Sequence, residues 1–111
     1  MKILAGQFKN HAIQSNQKFE YRPTTSIARK SMFDVLKSLE GKHFLDLYSG
    51  SGMIGFEASS RGAESVTFVE LNKKYMNQII TNAKTIPYDH FSFLVRDVHR
   101  FLKKSVQYDI S

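Results

Sequence analysis

Three acidic side chains and a glycine-rich segment are the residues whose types and spacing suit chemistry. Gly50, Gly52 and Gly55 form a Gly-x-Gly-x-x-Gly pattern directly after an apolar run. Asp46 lies inside that run, and Glu70 follows Gly52 by 18 residues. Glycines let the backbone approach a phosphate or a sugar, and an acid about 20 residues later can accept hydrogen bonds from ribose hydroxyls. The pattern therefore predicts a site for an adenosine-containing cofactor.

Asp46 indicates the class of cofactor. The strand before the glycines of a dinucleotide site is normally apolar, because a carboxylate there would repel the pyrophosphate. A carboxylate suits a cation instead, such as the ammonium group of S-adenosylmethionine (SAM). Asp97, predicted to follow the third strand, extends the pattern as a neighbour of the adenine amino group. Asp46, Glu70 and Asp97 each have an alternative interpretation as a structural cap, and an NAD-type oxidoreductase half is the disfavoured alternative.

The elements that position these residues alternate between strand and helix after residue 41. The predicted strands are His43–Tyr48, Ser65–Glu70, Phe91–Val95 and Val106–Ile110. The predicted helices between them are Met53–Ser60, Lys73–Lys84 and Val98–Lys104. Strands separated by helix-length segments predict right-handed crossovers and a parallel sheet. The expected fold class is α/β, a Rossmann-like, doubly wound parallel sheet truncated after its fourth strand; the family resemblance given below implies that it is a SAM methyltransferase fold.

An N-terminal extension precedes this pattern. Met1–Gln14 predicts a β-hairpin, and the hydroxyls of residues 24–26 predict the start of a helix that runs to about Leu39. The apolar positions of that helix, expected to face the core, are Ala28, Met32, Val35, Leu36 and Leu39. We therefore divide the chain into a basic N-terminal extension, residues 1–40, and a SAM-binding half-domain, residues 41–111; the family resemblance given below implies that the extension faces RNA.

Charge is distributed unevenly along the chain. The net charge is +6, and residues 1–42 hold eight Lys and Arg against three acids. This asymmetry favours an N-terminal element that binds a polyanion, although a solvated basic surface is the alternative. The absence of cysteine and the four scattered histidines argue against a metal site. No apolar run approaches the roughly 20 residues of a membrane span, and the N-terminus lacks a signal-peptide pattern, so we expect a cytoplasmic protein.

Three segments together resemble one known family. ILAGQFKNHAI, YRPTTSIARKSMFDVL and FLDLYSGSGMIGFEASSRGAESVTFVE occur in the order found in bacterial RsmD-type ribosomal RNA methyltransferases. The resemblance implies transfer of a methyl group from SAM to the exocyclic N2 of a guanine in small-subunit ribosomal RNA, with S-adenosylhomocysteine as product. It implies a SAM pocket lined by Asp46, Gly50, Gly52, Glu70 and Asp97. Neighbouring residues also expected to contact the cofactor are Tyr48, Ser49, Ser51, Leu71 and Val98. The residues expected to contact RNA are Lys9, Arg22, Thr24 and Arg29.

One departure from the family concerns catalysis. The family follows its Tyr-Asp-apolar strand with Asp/Asn-Pro-Pro-Tyr/Phe, which holds the amine of the target base. This chain reads Tyr108-Asp109-Ile110-Ser111, and its two prolines are Pro23 and Pro87. We therefore expect a truncated form that binds SAM and transfers little or no methyl, and a homodimer that covers the exposed sheet edge. The alternatives are a non-catalytic RNA- and SAM-binding module and a fragment of a DNA adenine-N6 methyltransferase.

Overall fold

The fold alternates helices and strands, as the sequence predicts. The computed structural model describes residues 1–14, 26–36, 38–47 and 49–108. Its elements are α1 (Ser26–Leu36), β1 (His43–Leu47), α2 (Met53–Ser60), β2 (Ser65–Val69), α3 (Lys73–Ala83), β3 (Phe91–Leu94) and α4 (Val98–Tyr108). The α/β fold class is confirmed. The start of every strand and of α2, α3 and α4 matches the prediction, and β1, β2, α3 and β3 each end one residue earlier than predicted.

The strands form a parallel sheet in the order β1-β2-β3. Asp46 is in register with Phe68, and Phe68 is in register with Phe93, so these three side chains lie on one face of the sheet. This strand order is one half of the doubly wound arrangement. Because all three strands run in the same direction, their carboxyl ends lie along one edge, which places the residues that follow them close together.

The core lies on the face of the sheet that α2 covers. The Phe68 ring stacks on Phe93 with centroids 5.7 Å apart, and Phe56 of α2 lies 5.1 Å from Phe68. Buried Ile3 and Ile13 belong to the same cluster. The N-terminal segment therefore contributes side chains to the core of the sheet domain, while the division into residues 1–40 and 41–111 stays a prediction.

Residues 1–14 fold back on themselves, as predicted, although with less strand than expected. One isolated antiparallel bridge joins Lys2 to Ala12. The Ile3 amide donates to the His11 carbonyl at 3.1 Å, and the Asn10 amide donates to the Ile3 carbonyl at 2.8 Å. We call residues 1–14 the hairpin segment, and residues 6–10 its turn.

The sequence analysis chose the wrong buried face of α1. Ala28 and Met32 are exposed, whereas Arg29 and Phe33 are buried. The helix turns this face inward because the carboxylate partner of Arg29 lies inside the protein, as described below. Leu39 is buried as expected, but α1 ends at Leu36.

The predicted fourth strand, Val106–Ile110, is also wrong over residues 106–108. These residues form the end of α4, which continues past Lys104, and Asp109 and Ile110 lie outside the described residues. The helix continues because no glycine or proline follows Lys104 to end it, and because Val106 keeps the helical spacing of Val98 and Leu102. None of the helices in the described part of the chain has the length and apolar character that crossing a membrane requires.

Candidate cofactor site

The loop between β1 and α2 turns through left-handed glycines. Gly50 has φ 54° and Gly52 has φ 81°, a region that residues with a Cβ rarely adopt. Ser49 holds the start of the loop, since its hydroxyl donates to the Asp46 carbonyl at 2.8 Å and its amide donates to the Val69 carbonyl at 3.2 Å. The Ser51 hydroxyl accepts from the Met53 amide at 3.4 Å. The loop is thereby fixed between the ends of β1 and β2.

Gly55 lets α2 lie close to the sheet. A Cβ at this position would overlap the Phe68 ring, with the ring Cζ atom only 2.8 Å away. Close approach of helix and strand is the role of the third glycine in the Gly-x-Gly-x-x-Gly pattern. It also brings the Gly55 amide to 3.0 Å from Oδ2 of Asp46, to which it donates a hydrogen bond.

Asp46 is a buried acid whose charge no described cation balances. Its side chain is 5 % exposed. No Lys, Arg or His of the described ranges lies within ion-pair distance of its carboxylate. Burial raises the pKa of Asp46 to about 7; the Gly55 hydrogen bond opposes this shift and the negative charge of Glu70 adds to it. A carboxylate in this state gains from a cationic ligand, and such perturbed acids are typical of functional sites.

Glu70 follows β2 and joins two loops. Its Oε1 accepts from the Gly50 amide at 2.9 Å, and its Oε2 accepts from the Asn72 amide at 2.8 Å. A carboxylate offers about four acceptor positions, so roughly two remain for a ligand. Asn72 then caps α3 by accepting from the Lys74 and Tyr75 amides. The sequence analysis missed Asn72, although an Asn just before a helical pattern is a recognisable capping signal.

Asp97 caps α4. Its Oδ1 accepts from the Arg100 amide at 3.1 Å, and its backbone carbonyl accepts from the Phe101 amide at 2.9 Å. The capping interpretation of Asp97 is therefore realised, and a role at the cofactor stays a prediction. Val98 is buried, whereas the neighbour of Glu70, Leu71, is 61 % exposed.

Most of the predicted cofactor residues follow strands at the carboxyl edge of the sheet, and a hydrogen bond joins Glu70 to the Gly50 amide across it. Those that follow β1, β2 and β3 at this edge are Ser49, Gly50, Ser51, Gly52, Glu70, Leu71, Asp97 and Val98. Tyr48 lies outside the described residues. Ligands of open α/β sheets bind at this edge, outside the carboxyl ends of the strands.

The residues predicted to contact RNA are placed differently from one another. Lys9 is exposed in the turn of the hairpin segment. Arg22 and Thr24 lie outside the described residues. Arg29 is 2 % exposed, and one of its terminal nitrogens donates to the Lys2 carbonyl at 3.0 Å. Burial lowers the pKa of Arg29, while the charge of Glu57 opposes that shift. The prediction that Arg29 contacts RNA is therefore wrong, because this guanidinium is occupied inside the protein.

Glu57 is the partner of Arg29 and was missed by the sequence analysis. The side chain of Glu57 is fully buried in α2. Its Oε1 lies 3.8 Å from Nε of Arg29, and its Oε2 lies 2.9 Å from Nε of Arg61. The amides of Leu4 and Ala5 donate to the same carboxylate at 2.9 and 3.1 Å. The spacing of Glu57 and Arg61, which lie four residues apart at the end of α2 and its C-cap, was the available signal.

Metal coordination has no candidate in the described ranges. No group of three or more His, Cys, Asp or Glu side chains is gathered there in a way that could hold an ion.

Comparison with known proteins identifies the family. The model of the family described as Conserved hypothetical protein 95 matches residues 1–111. Relatives matched along the same segment include "Ribosomal RNA small subunit methyltransferase D" of Buchnera aphidicola subsp. Baizongia pistaciae, 38 % identical over 76 residues, which are 67 % of this chain and 39 % of the relative. The chain belongs to this RsmD family.

Further relatives agree with this assignment. The enzyme of the same name from Haemophilus influenzae is 33 % identical over 87 residues, covering 78 % of this chain and 45 % of the relative. A solved structure of a hypothetical protein from Thermus thermophilus superposes with a TM-score of 0.81 at 26 % identity, covering 94 % of this chain and 60 % of that one. The chain spans a third to a half of the length of the first curated relatives that it matches.

Proposed function

We propose that the chain is the SAM-binding part of a cytoplasmic methyltransferase that acts on guanine N2 in small-subunit ribosomal RNA. The observation that carries this proposal is the buried Asp46 carboxylate, which lacks a described cationic partner and lies at the same sheet edge as Glu70. Membership of the RsmD family supports the choice of substrate, because relatives carry the name of a small-subunit rRNA methyltransferase.

The residues of this edge match the groups of SAM in charge and hydrogen bonding. Asp46 would pair with the ammonium group, whose positive charge offsets the cost of a buried carboxylate. Glu70 would accept from the ribose hydroxyls through the acceptor positions that Gly50 and Asn72 leave open. The exposed side chain of Leu71 would cover the adenine ring, while Asp97 and Val98 would flank it.

The chemical contribution of these residues is positioning. When bound, SAM would supply an electrophilic methyl group to the guanine N2, with S-adenosylhomocysteine as the leaving group and the amine proton passing to solvent. The glycine loop and Glu70 hold one reactant in a fixed orientation, which reduces the entropic part of the barrier. A guanine in a duplex must first leave the base stack to reach this edge.

Contact with RNA would come from the N-terminal region. Lys9 is exposed in the hairpin turn, and Arg22 and Thr24 belong to the same basic region of the sequence. No Pro-Pro pair occurs in the 111 residues, so we propose that this chain alone binds SAM with little methyl transfer. A homodimer that covers the edge of β1 opposite β2, with which no other described strand pairs, is a further part of the proposal, which light scattering tests directly.

Calorimetry tests the cofactor assignment. The chain is titrated with SAM, S-adenosylhomocysteine and NAD, and we expect binding of the first two and none of NAD. Glu70→Gln should weaken SAM binding, whereas Glu40→Gln, at an exposed residue remote from the carboxyl edge, should not. Binding of NAD in preference to SAM would overturn the proposal. A methyl-transfer assay on small ribosomal subunits tests the second part, and rapid turnover by this chain alone would contradict it.

A further inference from the structure

A groove lies at the outer edge of the sheet, between the end of α3 and β3. It encloses about 240 Å³, and Tyr88, Phe91 and Phe93 form its aromatic wall. Ala83 lies at its base, and the exposed side chains of Lys84 and Asp89 stand at its rim. The groove is open to solvent and has room for one planar ring system.

The groove is separate from the candidate cofactor site. The cofactor residues follow the carboxyl ends of the strands, whereas Phe91 begins β3 and Ala83 ends α3. β3 is the outermost strand in the order β1-β2-β3, and among the described elements it pairs with β2 alone. Phe91 and Phe93 pack on the core face of the sheet and are partly exposed where that face ends at β3, so the groove opens at a side of the molecule that the mechanism does not use.

The aromatic wall is held rigid by its own contacts. The Tyr88 and Phe91 ring centroids are 4.6 Å apart, and those of Phe91 and Phe93 are 6.2 Å apart. The Tyr88 hydroxyl donates to the Ala63 carbonyl at 2.6 Å, which fixes the ring in place. Partly exposed aromatic rings in a fixed arrangement are the surface on which proteins stack single-stranded bases.

Positive charge flanks the groove. Lys84 stands at its rim, and the hairpin turn lies beside it, since the Phe8 ring packs edge-on against Tyr88 with centroids 6.3 Å apart. The same turn carries the exposed Lys9. The ring Nε2 of His11 also lies 2.8 Å from the hydroxyl of Thr85, the residue after Lys84, so the hairpin segment and the end of α3 form one surface. Lys84 and Lys9 are the cations that would face a phosphate backbone, while Asp89 places one negative charge at the same rim.

We propose that this groove binds an unpaired nucleotide of the RNA substrate as a second contact, away from the edge where the cofactor binds. The base stacks on Tyr88, Phe91 and Phe93, and the neighbouring phosphates lie against Lys84 and Lys9. The Asp89 carboxylate accepts a hydrogen bond from an exocyclic amine of the base, which favours guanine, adenine or cytosine over uracil. The choice of RNA as occupant rests on the proposed function.

The test measures binding of a short, fluorescently labelled single-stranded RNA by anisotropy, without SAM. Lys84→Glu should weaken binding by about fivefold or more, because it reverses the charge at the groove. The matched control is Lys42→Glu, which makes the same charge change at an exposed lysine before β1 and should change affinity less than about twofold. Ala83→Leu fills the base of the groove without changing charge and should weaken binding to a similar degree, with its folding checked by circular dichroism.

A second measurement maps the contact directly. RNA that carries 6-thioguanosine, which keeps an exocyclic amine, is crosslinked to the chain by light, and we expect crosslinks within residues 84–93. If Lys84→Glu and Lys42→Glu change RNA affinity equally and the crosslinks lie outside residues 84–93, the groove does not bind RNA, and the proposed function is left intact. Loss of self-association in Ala83→Leu with unchanged RNA affinity would overturn it in favour of a protein contact. No binding of RNA by any variant, together with normal SAM binding, would overturn both the groove and the RNA substrate.

Discussion

Asp46 and Glu57 are both buried carboxylates that accept backbone hydrogen bonds, but they differ in what balances their charge. Glu57 has Arg29 and Arg61 beside it and two amides of the hairpin segment bonded to it. Asp46 has the Gly55 amide and, within the described ranges, no cation. Glu57 belongs to helix α2, and Asp46, in the neighbouring strand β1, accepts a hydrogen bond from the Gly55 amide of the same helix.

The difference separates a structural acid from a functional one. The charge of Glu57 is balanced inside the protein, so this residue can join α1, α2 and the hairpin segment without a ligand. The charge of Asp46 is left unbalanced, which costs folding free energy above its pKa and leaves the residue able to gain from a cation. Proteins retain such an unfavourable group where binding needs it.

The largest expected loss of stability comes from neutralising Glu57, the acid whose charge is balanced inside the protein. Glu57→Gln leaves two guanidinium groups next to a neutral amide, and loss of one partner from a buried ion pair typically costs about 3–5 kcal/mol. Urea denaturation measures this change in the free energy of unfolding. The control, Asp34→Asn, removes an exposed pair with Lys30 at 3.2 Å and should cost less than about 0.5 kcal/mol. If the two variants lost similar amounts of unfolding free energy, the buried contacts of Glu57 would stabilise the protein no more than an exposed ion pair does.

Gly55→Ala tests the contact between α2 and Asp46. The added methyl group would meet the buried Phe68 ring, and overpacking of this kind costs about 1–3 kcal/mol. Displacement of α2 should also lengthen the bond from the Gly55 amide and raise the pKa of Asp46 further. Gly41→Ala is the comparison, because nothing lies within 4 Å of its added Cβ and its φ of 76° supplies strain alone. A fully stable Gly55→Ala protein would contradict the close packing.

The pH dependence of stability distinguishes the two acids. The pKa of Asp46 is raised to about 7, so the folded state holds a proton that the unfolded state releases above its own pKa of about 3.9. Ionisation of Asp46 therefore destabilises the folded state as pH rises. We expect the free energy of unfolding to fall by on the order of 2 kcal/mol between about pH 5 and pH 8. Asp46→Asn should remove this slope. If the free energy of unfolding of Asp46→Asn changed with pH as it does in the unaltered protein, another group than Asp46 would be responsible for the pH dependence.

Glu70→Gln should have the smallest effect. The amide keeps an oxygen for one backbone donor but loses the negative charge that raises the pKa of Asp46. We expect SAM affinity to fall about tenfold, equivalent to roughly 1.4 kcal/mol, with little change in stability. The pKa of Asp46 should fall at the same time, which NMR titration of its carboxyl carbon would show. A pKa that stays constant would mean that the two acids do not interact.

The fold and the positions of Asp46 and Glu70 were predictable because they depend on local patterns. Alternation of strands and helices sets a parallel sheet, and the ends of parallel strands share an edge, so residues that follow them meet. The buried face of α1 was not predictable in the same way. A stripe counted from apolar residues excludes Arg29, whereas the structure buries Arg29 because its partner lies on another helix. Such a pairing depends on tertiary contact, which helical spacing within α1 does not show.

Two further differences have similar causes. α4 continues through residues 106–108 because that segment has helical spacing and no breaking residue, although its apolar residues also suit a strand. The burial of Glu57 was missed because a single acid in a short helix normally faces solvent. In contrast, the Gly-x-Gly-x-x-Gly pattern predicted the tight turn, whereas the close packing of α2 on Phe68 at Gly55 became evident in the structure.

SAM affinity measured against pH tests the central claim most directly. Calorimetry between about pH 5 and pH 6.5 stays roughly one pH unit or more below the titration of the SAM amino group, near 7.7–8.0 for an α-amine. If Asp46 pairs with the cofactor's cation, affinity rises with pH across this range, protons are released on binding, and Asp46→Asn abolishes both effects and weakens binding. Equal affinity of the two proteins at every pH, without proton release, would contradict the assignment of Asp46 as the cation-binding acid.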